Sequence, residues 1–314
     1  MTKPTAAFLG SGRFAARCLE LISERLRPEW VLTNAPRSAG RGLALRSTPV
    51  WELAQKLGVP AYTTERLSAD AERVEWIKAN APDVLLVIDF GHIIREPVLT
   101  AAKYGCLNIH PSKLPEYRGS APLQRVLMDG RTSTAVSIFR LDAGMDSGPI
   151  LAQPELAIAP DDDFASLAEK AAQLGAETLL HYLCDVPPEE WRFTAQSDEG
   201  ATYAPKIDKA EGKIDWTRSA AEIANKIRGI GAAPGVFCSV HGRRLRIYRA
   251  EAVSGSGAPG TYAVRGGVPC VACGEGLLRL AEVQPEGKKL QRAEDWARGL
   301  RINEGESLEQ EIKS

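Results

Sequence analysis

Short apolar runs alternate with amphipathic segments along the first 150 residues of the chain. Among the apolar runs are AAFLG (6–10), VLLVID (84–89) and LNIH (107–110), and segments with helical periodicity such as 13–26 lie between them. Val84 to Ile88 is apolar without interruption, which is typical of a strand covered on both faces. We therefore predict an α/β domain: a doubly wound, mostly parallel, Rossmann-like sheet with helices on either side.

The character of the sequence changes near residue 184. The stretch 191–205 is polar, contains proline and lacks periodicity, which indicates a linker. Beyond it, a helical segment at 218–229 precedes short β-like runs that are separated by glycine or proline, a spacing typical of a small barrel or sandwich. We therefore expect a first domain over 1–190, a linker over 191–205 and a smaller β domain over 206–314.

Length and composition fit a two-domain globular protein. The chain has 314 residues, of which 44% are hydrophobic and 25% are charged. It contains no apolar run of the roughly eighteen residues that a membrane span requires. The first residues, MTKPTAAFLGSG, hold one lysine and a very short apolar run, so we expect no signal or transit peptide and a cytoplasmic protein.

Six cysteines are scattered among the predicted strands and helices, a distribution that favours reduced thiols over a disulfide framework. Only Cys270 and Cys273 have a paired spacing, and the nearest further zinc ligands, Cys238 and His241, lie about thirty residues upstream. We interpret VPCVACGEG as a strand and a turn, and we predict no metal site.

The two halves of the chain differ in charge. Residues 1–190 hold 20 Lys and Arg against 24 Asp and Glu, a balance of −4, whereas residues 206–303 hold 17 against 10, a balance of +7. A basic second domain favours an anionic partner. The alternative is a solvated surface of mixed charge, because the excess is spread over nearly a hundred residues.

The GSGRFA motif, Gly10 to Ala15, fits the G-x-G-x-x-G/A fingerprint of dinucleotide-binding turns. That fingerprint requires an acidic residue at the end of the second strand to hold the ribose. Here the second strand ends in VLTNAPR, and Asn34 does not supply a carboxylate. We expect the glycines to form a tight strand-to-helix turn, and NAD binding is the weaker alternative.

A cationic loop follows the second predicted strand. In RSAGRGLAL, Gly40 and Gly42 flank Arg41. The glycines would let the arginine approach a phosphate, and its guanidinium matches phosphate geometry. The alternative is an ordinary solvated loop.

Asn108, His110 and Asp146 are expected at the carboxyl ends of strands or in the loops that follow them, where open α/β sheets place their sites. An amide that donates to an oxyanion, an imidazole that handles a proton and a carboxylate that orients the imidazole are suited to acyl transfer. Because the attacking group could arrive on a substrate, no nucleophilic serine or cysteine is needed. The alternative is a structural histidine with capping partners.

The segments LNIHPSKLPEYRGSAPLQR (107–125) and DAGMDSGPIL (142–151) resemble the signature of the 10-formyltetrahydrofolate-dependent formyltransferases, which carry an N-x-H pair and a downstream Asp. The resemblance covers almost the whole chain. It implies formyl transfer from the N10 of 10-formyltetrahydrofolate to an amine on a doubly wound domain, with Asn108, His110 and Asp146 as the catalytic residues. No metal is implied.

The resemblance is strongest to the members that act on methionyl initiator tRNA. It implies that the AGRG loop, 39–42, enters the acceptor arm, that 203–229 forms the domain junction and that an OB-like barrel over 206–314 helps to hold the tRNA. Where the family usually has Tyr-Gly, this chain has Phe90-Gly91 followed by His92.

Two further sets of residues are expected to bind the substrates. The folate set, from the family and from the suitability of strand-end backbone for a pterin ring, is Phe90, Gly91, His92, Ile93, Ser112, Pro115, Asp142, Ala143 and Gly144. The tRNA set is Gly40, Arg41, Gly42 and Arg118. Arg118 either holds the substrate side of the cleft or pairs structurally within the loop.

In the expected mechanism, the methionyl α-amine attacks the formyl carbon, and Asn108 and protonated His110 stabilise the oxyanion. Asp146 then accepts the proton of the amine and relays it to the departing N10. The alternatives are a formyltransferase for an amino sugar nucleotide and a nucleic-acid-binding module without catalysis. We expect a monomer.

Overall fold

The structure is a computed structural model that describes residues 3–39, 44–299 and 302–308. The strands are β1 (Ala6–Gly10), β2 (Val31–Asn34), β3 (Arg37–Ala39), β4 (Ala44–Arg46), β5 (Ala61–Thr64), β6 (Val84–Ile88), β7 (Cys106–His110), β8 (Ser133–Ala135), β9 (Ser137–Arg140), β10 (Ile150–Ala152), β11 (Glu155–Ala157), β12 (Val236–Val240), β13 (Arg243–Val253), β14 (Tyr262–Arg265), β15 (Val268–Ala272), β16 (Leu277–Pro285) and β17 (Gln291–Arg292). The α-helices are α1 (Arg13–Ser23), α2 (Pro49–Leu57), α3 (Ala71–Ala79), α4 (Pro122–Met128), α5 (Phe164–Asp185), α6 (Ala220–Ile230) and α7 (Ala293–Arg298). Short 3-10 turns span Leu67–Ala69, Pro188–Glu190 and Ala210–Gly212.

The central sheet has seven strands in the order β10-β9-β7-β6-β1-β2-β5. The pairs from β5 through β2, β1 and β6 to β7 are parallel, and β9 and β10 continue the sheet in antiparallel fashion. All residues of β1 and β6 are buried, as expected when helices cover both faces. The predicted doubly wound, mostly parallel sheet is confirmed.

The strand order reverses between β1 and β6. The chain passes from β1 to β2 and then β5 on one side, and it returns to place β6 on the other side of β1. Open sheets of this kind bind ligands in the crevice at such a switch, at the carboxyl ends of the strands. β7, which carries the predicted Asn108 and His110, is the next strand after β6 and also ends at this edge.

The connection between β2 and α2 contains a short antiparallel hairpin that the sequence did not predict. β3 and β4 pair from Arg37 with Arg46 to Ala39 with Ala44. Gly40, Arg41 and Gly42 lie outside the described residues. The prediction that this arginine contacts tRNA therefore stays a prediction.

The C-terminal sheet is antiparallel, in the order β12-β13-β16-β15-β14, with β17 paired to β16. β13 is long, and its pairing with β16 shifts register between Ile247 and Ala250, which marks a bulge. Ile223 and Ile227 of α6 pack into the same apolar core as Ile247 and Leu280 of the sheet. The predicted fold class of the second part of the chain, a smaller β domain, is confirmed.

The described chain forms two compact units. The first contains the described residues of Met1–Pro122, Ser133–Ile158 and Leu167–Ala204, and the second contains those of Leu123–Thr132, Ala159–Ser166 and Pro205–Ser314. Within the second unit, a Cβ at Gly229 of α6 would lie 2.8 Å from the carbonyl oxygen of Gln124, so α4 packs closely on α6. Arg125 of α4 also pairs with Glu211, at 2.6 Å.

The stretch 191–205, predicted as a linker, is hydrogen-bonded into the first unit over most of its length. Thr194 and Ile150 exchange two main-chain hydrogen bonds of 2.8 Å, and Tyr203 forms a parallel bridge with Arg118. We call residues 194–204 the strap. Among the described residues, no helix has the length and apolar character needed to cross a membrane.

Candidate active site

β7 presents Asn108 and His110 on the same side, because alternate residues of a strand share a face. Their neighbours across the antiparallel pair with β9 are Phe139 and Ser137. The His110 imidazole is 5% exposed, and its edge meets the Phe139 ring at 6.3 Å between centroids. Asn108 is only partly buried, so its amide remains accessible from the crevice.

The two ring nitrogens of His110 have different neighbours. Nε2 lies 3.0 Å from the carbonyl oxygen of Tyr117, which can only accept, so Nε2 carries a proton and donates it. Nδ1 lies 3.8 Å from Oδ2 of Asp146. This separation is longer than a hydrogen bond, and it leaves Nδ1 as the nitrogen available to a substrate beside the carboxylate.

The loop after β7 positions Asp146. The main-chain N–H of Gly119 donates to Oδ2 of Asp146 at 2.8 Å. Gly119 has a φ of +121°, and a Cβ there would lie 2.9 Å from the carbonyl oxygen of Ala204 in the strap. A residue with a side chain would be strained at this position, so the glycine of the RGS sequence permits this contact. The predicted trio is thus brought together at the ends of β7 and β9.

Phe90, Gly91, His92 and Ile93, the first part of the predicted folate set, form the turn after β6. His92 Nε2 lies 2.5 Å from Oδ1 of Asn34 at the end of β2, and its ring stacks on Phe90 at 4.8 Å. Burial, and to a smaller extent the charge of Arg37, lowers the pKa of His92. Ile93 is 68% exposed, which is unusual for an isoleucine and marks it as a potential contact surface.

Asp142, Ala143 and Gly144 begin the loop after β9. The Asp142 carboxylate accepts from the Gly144 N–H and from the Ser147 hydroxyl, both at 2.9 Å. These bonds hold the turn closed, while all three residues of the predicted folate set remain exposed. Their exposed backbone is compatible with the expected contact to a flat heterocycle.

Ser112 and Pro115, also predicted to contact folate, have internal roles in the loop. Ser112 is fully buried, and its hydroxyl donates to the carbonyl oxygen of Glu116 at 2.7 Å. The Pro115 carbonyl accepts from the Thr202 N–H of the strap at 3.3 Å. The Ser112 hydroxyl thus stabilises the loop, and the predicted folate contacts of both residues stay predictions.

Arg118 follows the structural alternative. The residue is 4% exposed, and its guanidinium donates to Gln196 and to Asp198 of the strap. The guanidinium is thus paired within the first unit, and its predicted contact with tRNA stays a prediction. Gln196 and Asp198 had no signal in the sequence, because they belong to the stretch that reads as a linker.

Asp89 was also missed, and it changes the interpretation of the GSGRFA turn. Its carboxylate lies so close to Gly12 that a Cβ there would be 1.7 Å from Oδ2, and it accepts from the Ala15 N–H at the start of α1. The residue is exposed overall, but the protein around its carboxylate removes part of the solvent that stabilises the charge. This desolvation raises the pKa of Asp89 to about 6. A carboxylate therefore occupies the anion-binding end of α1, where a dinucleotide phosphate would have to bind.

A cavity of about 360 Å³ lies beside Ile93 in the first unit. It is lined by Leu67, Ser68, Ala69, Ala71, Val74, Glu75, Ile93, Arg95, Glu96 and Val98. Only Ile93 among these belongs to the predicted folate set. The remaining wall comes from the segment after β5 and from Arg95, Glu96 and Val98 after β6. The proximity of these two segments depends on the sheet order and is not visible in local sequence.

Comparison with known proteins shows the family of the chain. The formyl transferase family matches residues 6–183, and the formyl transferase C-terminal domain matches residues 206–301. Methionyl-tRNA formyltransferase of Paracoccus denitrificans is 40% identical over 94% of this chain and 97% of its own, and that of Myxococcus xanthus is 39% identical over 97% and 98%.

A solved structure shares the fold. The N-formyltransferase of Helicobacter canadensis, in complex with folinic acid and dTDP-3-aminofucose, superposes with a TM-score of 0.65 at 16% identity, over 88% of this chain and 99% of that one. Two matched domains and relatives of about 40% identity over nearly the full length leave one assignment. The chain belongs to the formyl transferase family.

Proposed function

We propose that this enzyme transfers the formyl group of 10-formyltetrahydrofolate to the α-amine of methionyl initiator tRNA. The observation that carries the proposal is the distance of 3.8 Å between His110 Nδ1 and the Asp146 carboxylate. Asn108 lies two residues before His110 on the same strand, β7. The relatives that match almost the whole chain, named methionyl-tRNA formyltransferases, support tRNA as the acceptor.

The reaction begins when the lone pair of the amine attacks the formyl carbon. A C–N bond forms and the carbonyl π electrons move to oxygen, which gives a tetrahedral intermediate. The Asn108 amide donates to this oxygen, and such a donor is typically worth about a hundredfold or more in rate. Collapse of the intermediate breaks the bond between carbon and N10 of the folate.

Protons move between the groups beside β7. Asp146 accepts the proton that the attacking amine loses, and that proton passes to the departing N10, so tetrahydrofolate leaves neutral at that nitrogen. Because Nε2 of His110 is held by Tyr117, the proton that His110 offers to the oxyanion is carried on Nδ1.

The folate is proposed to lie along residues 90–93 and 142–144, whose backbone is exposed at the edge of the crevice. The cavity beside Ile93 has the volume of a small-molecule subsite and would receive part of the cofactor. No metal takes part in this proposal.

The tRNA is proposed to contact the Arg41 loop and the basic 206–314 domain, while 1–190 carries the catalysis. The balance of +7 over 206–303 supports this division, since phosphate contacts dominate the affinity of proteins for nucleic acids. We further propose that the protein is cytoplasmic. We also propose that it is a monomer, because a single chain contains both the trio and the basic domain.

An assay with two acceptors tests the proposal. Purified chain is mixed with 10-formyltetrahydrofolate and either methionyl initiator tRNA or a dTDP-linked amino sugar, the kind of ligand held by the Helicobacter canadensis enzyme. We expect formylation of the tRNA alone, lost in His110→Ala and weakened in Arg41→Ala. Formylation of the sugar alone would refute the acceptor, and no transfer to either would refute the enzyme.

A further inference from the structure

The strap connects the two loops that form the active site. Its last residues pair with the loop after β7: the Arg118 N–H donates to Thr202 O at 2.9 Å, and the Ala204 N–H donates to Arg118 O at 2.7 Å. Its first residue pairs with β10, which follows the loop that carries Asp146. The strap therefore spans from one site loop to the other.

Gln196 forms the link at the centre of the strap. Its Nε2 donates to the carbonyl oxygen of Asp146 at 2.9 Å and to that of Gly148 at 2.7 Å. Its Oε1 accepts from Nη2 of Arg118 at 3.0 Å and from Nε at 3.3 Å. One side chain thus uses both halves of its amide, with the donor half on one loop and the acceptor half on the other.

These bonds act on the main chain at the catalytic carboxylate. Asp146 has a φ of +51°, a conformation that is uncommon for a residue with a side chain and needs support from its surroundings. Its carboxylate is held by the Gly119 N–H, and its carbonyl is held by Gln196. Gly119 follows Arg118 directly, and Arg118 holds the Gln196 side chain. The loop that contains Arg118 and Gly119 therefore supports both the bond to the Asp146 carboxylate and the bond to its carbonyl.

We propose that Gln196 is a positioning residue for formyl transfer: held by Arg118, it fixes the main chain of Asp146 directly and so keeps that carboxylate beside His110. The inference rests on the proposed function for its kinetic consequence. A small displacement of a reacting group can cost about a hundredfold in rate while substrate binding is retained. Loss of the link should therefore lower kcat and leave KM nearly unchanged.

Gln196→Glu separates this role from simple support of Arg118. Glutamate keeps an acceptor for the buried guanidinium and adds a favourable charge, but it places an oxygen against the carbonyl oxygens of Asp146 and Gly148 in place of a donor. If Gln196 only satisfied Arg118, the glutamate variant would behave like the wild type. Gln196→Met removes the donor and the acceptor together at similar volume.

The experiment measures steady-state formylation of methionyl initiator tRNA by the full chain. For Gln196→Glu we expect a kcat about ten- to a hundredfold lower, both KM values within about twofold and a melting temperature near that of the wild type. Gln173→Glu, the same change at an exposed position of α5, is the matched control and should keep the wild-type kcat. A wild-type kcat in Gln196→Glu, or a raised KM with an unchanged kcat, would overturn the proposal.

Hydrogen exchange provides a readout that does not depend on turnover. In Gln196→Glu the Gly119 amide and residues 142–148 should exchange faster than in the wild type, because the acceptor of the Gly119 N–H has moved. Unchanged exchange there would contradict the proposal even if the wild type showed no transfer, a result that by itself would refute only the proposed function. If Gln196→Glu does not fold, Gln196→Met carries both tests, and a wild-type kcat in that variant is equally decisive.

Discussion

At the scale of single residues, the hydrogen bond from His110 to Tyr117 decides which nitrogen of the imidazole is available to a substrate in the proposed mechanism. Nε2 is engaged by a carbonyl at 3.0 Å, and only Nδ1 faces Asp146. The sequence predicted the trio from residue types and strand ends together with the resemblance to the formyltransferase signature. It could not predict the tautomer, because Tyr117 lies in a loop whose path depends on the strap.

Amide substitutions at His110 test this assignment. The nitrogen of asparagine reaches about as far as Nδ1, whereas that of glutamine reaches about as far as Nε2. Both variants should lose about a hundredfold or more in kcat because neither can transfer a proton like imidazole. His110→Asn should retain more activity than His110→Gln, as measured by single-turnover formylation, and the reverse order would mean that Nε2 is the reacting nitrogen.

Asp89 predicts a pH dependence of stability. Its pKa is raised from the ordinary range near 4 to about 6, so the folded state binds a proton more tightly than the unfolded state. This contribution favours folding below pH 4 and is lost as the pH rises to about 6. Asp89→Asn carries no charge and should therefore gain melting temperature relative to the wild type at pH 7.5 but not at pH 4.

The control for that comparison is Asp161→Asn, the same change at an exposed carboxylate before α5. The melting temperatures of both variants and the wild type are recorded across the pH range by calorimetry. An equal difference between Asp89→Asn and the wild type at both pH values would show that solvent screens the carboxylate completely.

At the scale of elements, the regular strands and helices of both units were predictable, because each carries its own period of apolar residues. The strand predicted at Val84 to Ile88 is β6, and the helical segment predicted at 218–229 is α6. The β3–β4 hairpin and the strap were not predictable. Their partners are distant in sequence, and polar stretches without periodicity look alike whether they are free or paired.

Helix α6 begins with a capping box that the structure makes explicit. The Ser219 hydroxyl accepts from the Glu222 N–H at 3.2 Å, and the Glu222 carboxylate accepts from the Ser219 N–H at 3.0 Å. Because Ile223 and Ile227 anchor the second core through this helix, Ser219→Ala should destabilise the second unit by about 1 kcal/mol. Urea unfolding of the chain measures the effect, with exposed Ser254→Ala as the control, and equal unfolding midpoints would refute it.

At the scale of the whole molecule, the first and second parts of the chain differ in net charge. A balance of −4 over 1–190 precedes one of +7 over 206–303. If the basic domain binds tRNA phosphates, the KM for methionyl initiator tRNA should rise steeply with salt, with a linear slope of log KM against log salt concentration. The KM for 10-formyltetrahydrofolate should rise much less, because that ligand has no phosphate chain.

The two KM values are measured between about 50 and about 300 mM potassium chloride. Parallel salt dependence of both would argue against a specific electrostatic contact between this domain and tRNA. Glu251→Lys reverses the charge at an exposed position of β13. If β13 faces the tRNA, this variant should shift the plot of log KM against log salt concentration for tRNA and leave the plot for the folate unchanged.

The hydrogen-bonded strap bears on how such a protein can be divided and recombined. A fragment that ends at residue 183, where the first family domain ends, would retain the trio but lose Gln196 and the main-chain pairs of Thr194 and Ala204. For the site proposed above, we therefore expect the portable catalytic module to extend to residue 204. Any exchange of acceptor-binding domains between relatives should place its crossover after that point, so that each transplanted catalyst keeps the piece of chain that closes its own active site.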